Sequence, residues 1–174
     1  MYLPNEFIPT KNNLLTTLPV LSKEFRLNCE FVIESNPSGV ALIHLTNLDR
    51  DTAAKGGRLP LVFLNAISSW QTHSWVNGRN YAKNHGALSL TKWYQVEVSQ
   101  TLRDGKVRKF RMSHIAYRFY FFQYFFQVRL DGTLLHDEEN TTPTDFYNVK
   151  VYAGNPWHDA LDGKIRNVRI SNIN

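Results

Sequence analysis

The stretch HSWVNGRNY, residues 73–81, holds residue types that grip a polar ring. Trp75 and Tyr81 flank an Asn-Gly pair, and their faces suit the apolar C–H surface of a sugar. Asn77, Arg79 and Asn80 supply hydrogen bonds to hydroxyls, and Arg79 is able to hold a carboxylate or sulfate in a two-pronged grip. Ordinary packing around a turn is the competing reading of the same residues.

A second candidate is NLDRDTAAKGG, residues 47–57, which sets Asn47, Asp49 and Asp51 at alternate positions. These are hard oxygen ligands of the kind calcium takes. No further acidic residue follows in the loop, so a solvated loop is the alternative. Calcium is the one candidate cofactor, and otherwise none is expected.

Catalytic patterns are sparse. The densest acidic run is Asp137-Glu138-Glu139, and neighbours on a strand alternate faces, so the three carboxylates do not converge. The histidines at 44, 73, 85, 114, 136 and 158 show neither H-x-H nor HExxH spacing, and no G-x-S-x-G elbow is present. An enzyme is not expected. Near the end of the chain, VYAGNPWHDALDGKIRNVRI (151–170) places Trp157, His158, Asp159 and Asp162 in a turn-rich loop. Gly154, Asn155 and Pro156 break strand pairing. A loop that carries a site, with these four side chains as its chemistry, is one reading. The favoured one has it deliver the last strand, with Trp157 packed as a lid over the sandwich end and the two aspartates solvated.

The elements that position these residues are strands. Phe25, Leu27, Cys29, Phe31 and Ile33 alternate with polar neighbours, as a half-buried strand requires, and Cys29 is read as a buried structural thiol. GVALIHL (39–45) and LPLVFLNA (59–66) are short apolar runs that suit central strands. In WYQVEVSQ (93–100), Tyr94, Val96 and Val98 share one face. Asn77-Gly78 and Asp131-Gly132 predict tight hairpins. Many short strands, with no long amphipathic helix, predict a two-sheet antiparallel β-sandwich of jelly-roll type. Phe25, Leu27, Phe31, Val96, Val98, Val149, Val151, Ile165 and Val168 are its expected core.

Length and composition agree with one domain. The chain has 174 residues, 43% of them hydrophobic and 13% aromatic, which is enough for a single core. One cysteine excludes an internal disulfide. No apolar run is long enough to span a membrane as a helix, and the first residues lack the pattern of a secretory signal. The net charge of +5 is confined to positions 103–118, where Arg103, Lys106, Arg108, Lys109, Arg111 and Arg118 face Asp104 alone. A nucleic-acid face spreads more widely, so nucleic acid is not the expected partner. This basic tract runs into an aromatic block, Tyr117 to Phe126, and interrupts an otherwise plain strand pair. It is read as an insertion at 107–124 extending a hairpin, with Phe119, Phe121, Gln123 and Phe125 on one face. An amphipathic membrane-surface segment is the alternative.

Several motifs resemble a known superfamily. Trp93-Tyr94-Gln95-Val96-Glu97-Val98 followed by Val128-Arg129-Leu130-Asp131-Gly132, the opening LSKEFRLNCEFVIESNPSGVALIHLTN, and the closing Gly-Lys-Ile-Arg-Asn strand are similar to laminin G-like modules of the concanavalin A-like lectin and glucanase superfamily. The tail also resembles extracellular modules of cnidarian proteins. The cysteine pair that many laminin G modules carry at the closing strand is absent. The resemblance implies a non-catalytic extracellular module that binds glycans or proteins. A structural module of a larger extracellular protein, or a glycan-cleaving enzyme of the same fold, are the alternatives. In an extracellular setting the sequon Asn140-Thr141-Thr142 becomes a candidate glycosylation site.

Overall fold

A computed structural model of the chain describes residues 1–66, 69–104, 108–112, 115–119 and 122–173, and over 104–119 the backbone alone. Two six-stranded antiparallel sheets pack face to face. Sheet A runs, edge to edge, β1 (Tyr2–Leu3), β14 (Gly163–Asn172), β3 (Phe25–Ile33), β8 (Trp93–Asp104), β11 (Phe122–Leu130) and β12 (Thr133–Asn140). Sheet B runs β2 (Asn13–Leu21), β13 (Phe146–Ala153), β4 (Val40–Thr46), β5 (Leu61–Ala66), β6 (Ser69–Val76) and β7 (Arg79–His85). The β-sandwich expected from the sequence is the fold found.

Alternation decides what lies between the sheets. Leu27, Phe31, Val96 and Val98 from sheet A meet Val62, Leu64, Val149 and Val151 from sheet B, and all are buried. Each of the nine core positions expected from the sequence is buried. Cys29 is buried with them, and its removal from water pushes its thiol up to about 12.

Both expected hairpin turns are present. Asn77 and Gly78 have φ of 53° and 72°, and Asp131 and Gly132 have φ of 49° and 78°. Positive φ at both central residues gives the strand twist a two-residue hairpin needs. In the basic tract, β9 (Arg108–Met112) and β10 (Ile115–Phe119) pair as a ribbon between β8 and β11. Asp104 and Phe122 close the β8–β11 ladder as register partners. The expected face of Phe119, Phe121, Gln123 and Phe125 lies in part outside the described residues.

Edge strand β2 was not legible in the sequence. NLLTTLPVL carries Pro19 and doubles its apolar residues, which obscures the period of two. At a sheet edge a proline leaves no ladder bond unmade when its nitrogen faces outward, so the strand forms on pairing with β13.

Candidate functional site

The residues of 73–81 do not converge on one platform. Trp75 is register partner to Asn80, and Tyr81 is partner to Ser74. Adjacent pairs in an antiparallel ladder alternate faces, so Trp75 and Tyr81 lie on opposite sides of sheet B. Tyr81 stacks on His136 of β12, with ring centroids 5.3 Å apart. Arg79 is exposed at the turn. The Asn77 amide is spent on structure: it donates to the Glu139 carbonyl at 2.8 Å and accepts from the Thr141 N–H at 2.7 Å.

Asn47, Asp49 and Asp51 also separate. Asp49 is exposed and pairs with Lys150, while Asp51 pairs with Arg58. The Asn47 amide oxygen is buried beside Gly56 without a partner. Among the described residues no group of three or more His, Cys, Asp or Glu side chains is arranged to hold a metal.

The convergence of polar groups lies elsewhere, on the outer face of sheet B. Ladder register puts Tyr152, His44, Leu61, His73 and Ala82 in one row across it. Ala41, Phe63, Gln71 and Asn84 form the next row. An outer face is normally wet, yet His44 and Leu61 are buried. Two loops account for this by folding over the face, 47–60 and 154–162.

Each loop is held by its own residues. In the first, Gly57 approaches Thr52 so closely that an added Cβ would sit 2.1 Å from the Thr52 carbonyl oxygen. His44 donates Nε2–H to the Gly57 carbonyl at 2.7 Å. In the second, the buried Asn155 side chain accepts from the N–H groups of Trp157 and His158, at 2.9 and 2.6 Å. That turn throws both rings back onto the sheet. Trp157 meets His44 and Tyr152 edge-on, and His158 meets Phe63 edge-on at 5.4 Å. The loop therefore delivers β14, as expected, and places Trp157 as a lid over the outer face of sheet B rather than over the sandwich end.

Between the loops is a hollow of about 200 Å³, lined by Asp51, Arg58, Leu61, Phe63, Gln71, His73 and His158. Its polar groups form one chain. Asp51 accepts from Arg58 Nε at 3.0 Å and Nη2 at 3.3 Å, and from His158 Nε2 at 3.0 Å. Arg58 Nη1 donates to His73 Nδ1 at 3.2 Å. His73 Nε2 then donates to Gln71 Oε1 at 3.0 Å, and Gln71 donates to Asn84 Oδ1 at 2.6 Å. This polarity requires neutral His73 with its proton on Nε2. Burial, with Arg58 adding to it, depresses the His73 imidazole to about 4. Burial alone would raise the Asp51 carboxyl, but hydrogen bonds from Arg58 and His158 outweigh it and hold the group below its ordinary value.

A larger hollow, about 440 Å³, opens beside Glu6, Glu34, Thr91, Trp93 and Lys164 on the other side of the molecule. It is wide, and its two carboxylates are exposed, Glu6 paired to Lys164 at 3.0 Å. It lacks the fixed polar chain of the first.

No known family pattern matches the sequence, and no curated protein matches it. Solved structures do match in shape. The LG4-5 domains of mouse laminin α1 chain superpose with a TM-score of 0.59 at 12% identity, over 98% of this chain and 41% of that one. A heptameric SAP-like pentraxin from Limulus polyphemus gives 0.57 at 11% identity, over 97% and 76%. The fold is concanavalin A-like. A third concanavalin A-like sandwich, the CBM40 of Ruminococcus gnavus IT-sialidase, solved with α2,3-sialyllactose, gives 0.54 at 10% identity over 98% and 94%. The sequence places Asp51 in a candidate metal loop, His73 at the head of the 73–81 stretch, and His158 in the closing loop beside Trp157, Asp159 and Asp162. Arg58, Phe63 and Gln71 carried no signal at all. Only the concanavalin A-like pairing order, which sets β4, β5 and β6 side by side beneath the closing loop, brings them together.

Proposed function

We propose that the chain is a non-catalytic extracellular recognition module that binds glycan in the hollow between the 47–60 and 154–162 loops. The observation that carries this is the ordered polar chain from Asn84 to His158, laid over an apolar floor of Leu61 and Phe63. Sugars present apolar C–H faces and polar edges together, and this floor and rim offer the matching surfaces. The side chains are already locked to one another, so little ordering is needed on binding.

Glycan cleavage is not supported by this geometry. Glycoside hydrolysis uses two carboxylates flanking the bond. Among the described residues Asp51 is the one carboxylate lining the hollow, and hydrogen bonds from Arg58 and His158 hold it below its ordinary value.

The hollow is smaller than the roughly 300–1,000 Å³ of a drug-sized site, so it suits one sugar ring and weak affinity. The test is a glycan array probed with multivalent domain, followed by titration of the hits. Phe63→Ala and His158→Ala are expected to lower binding about tenfold or more while thermal stability changes little. Unchanged binding in both variants would remove the hollow as the site.

A further inference from the structure

The hydrogen-bonding capacity left over in the hollow describes its ligand more closely. Arg58 spends three of its five N–H donors on Asp51 and His73. Its charge is cancelled by a carboxylate in two-pronged contact, and both partners are mostly covered, at 22% and 15% side-chain exposure. No lysine or second arginine lines the hollow among the described residues. The Arg58 and Asp51 charges therefore cancel, and the guanidinium has no net charge with which to attract an anion.

The open valences are of both kinds: among the described residues two N–H groups of Arg58 and one of Gln71 carry no partner. On the acceptor side, Asp51 Oδ1 keeps one lone pair and Gln71 Oε1 keeps one. Such a rim needs a ligand that donates as well as accepts. Hydroxyls donate and accept, whereas carboxylates and sulfates only accept. An acidic group placed here would meet the Asp51 charge across a poorly solvated gap, or would have to displace Asp51 from Arg58 and leave a covered charge unpaired.

We infer that the hollow selects uncharged, hydroxyl-rich sugar rings and discriminates against their acidic counterparts, with Asp51 as the residue that enforces the choice. This rests on the glycan reading above and narrows it to a substrate class. Selectivity by an already neutralised arginine is negative: the same guanidinium, without Asp51, would attract what the site now repels.

Matched ligands test this directly. Methyl glucoside is compared with methyl glucuronide, and methyl galactoside with its 6-sulfate, by NMR titration that follows the His158 ring and Gln71 amide signals. The uncharged member of each pair is expected to bind at least tenfold more tightly. Asp51→Asn should narrow that ratio or reverse it, and Gln71→Glu, which adds charge without touching the ion pair, should widen it. Gln71→Ala should weaken both members and keep the ratio. Equal or tighter binding of the acidic members overturns the inference while leaving a glycan site standing. If neither member of any pair, extended to mannose and N-acetylglucosamine, moves these signals, the glycan reading falls with it.

Discussion

Asn140 shows how far a single side chain can be committed by its neighbours. It is 2% exposed, its Oδ1 accepts from the N–H groups of Asn77 and Thr142 at 3.0 and 3.1 Å, and its Nδ2 donates to Gln100 at 2.6 Å. The amide that a glycosyl transfer would modify is thus sealed between the two sheets. Mass spectrometry of domain folded before exposure to the transferase should show Asn140 unmodified, with occupancy appearing only on unfolded chain. Asn140→Ala removes a hub for three hydrogen bonds and should destabilise the fold by about 1–3 kcal/mol, read from the urea midpoint. His73 makes a different prediction at the same scale. Its Nδ1 accepts from Arg58, so protonation would set two cations together, and ligand binding should persist through mildly acid solution and fail near pH 4. His73→Gln should remove that acid limb from the binding profile.

Among elements, the two loops differ in what they demand of the chain. The 47–60 loop depends on Gly57, where a methyl group would strike the Thr52 carbonyl. Gly57→Ala should shift the loop, withdraw Arg58 and abolish binding, at a cost of about 2 kcal/mol in stability. The basic ribbon makes the opposite prediction. Because Asp104 and Phe122 are already register partners, replacing 105–121 by an Asn-Gly turn should leave cooperative unfolding intact. Loss of cooperativity would make the ribbon part of the sandwich. Strands such as β3 and β8 were readable because one face is buried and the other wet, so their residues alternate. Strand β2 was not, since an edge tolerates Pro19 and mixed faces. The hollow was invisible for another reason. Residues 51, 58, 63, 71, 73 and 158 share no spacing, and their meeting depends on two loops bending over the outer face of sheet B.

For the whole molecule, His44 and His73, which are buried, and His85, which is half-buried, set a common response to acid. Burial lowers His44, His73 and His85 from an ordinary value of 6.5 to about 4, with neighbouring cations adding to the effect at His73 and His85. The unfolded chain therefore binds more protons than the folded one below about pH 6.5. Their contribution is complete above that value and is lost as pH falls toward 4. Each of these histidines contributes a slope of up to about 1.4 kcal/mol per pH unit in that window. Asp51 and Glu30, both lowered, act in the same sense at still lower pH. Urea midpoints should be flat near neutrality and fall steeply from pH 6 to 4, and a flat profile there would mean that these rings are wet. The order of sheet A carries a consequence for how the chain reaches this state. Strand β3 sits between β8 and β14, its register partners running to Asn172, and β1 is seated on β14. During synthesis, Phe31 has no partner for Ile165 until more than a hundred further residues have left the ribosome. Until then the exposed edge of β3 is open to wrong partners, including the same strand on a neighbouring nascent chain. Topology of this kind predicts refolding in milliseconds to seconds rather than microseconds. It also predicts that chains truncated before β14 are captured by chaperones even though most of the residues are already present.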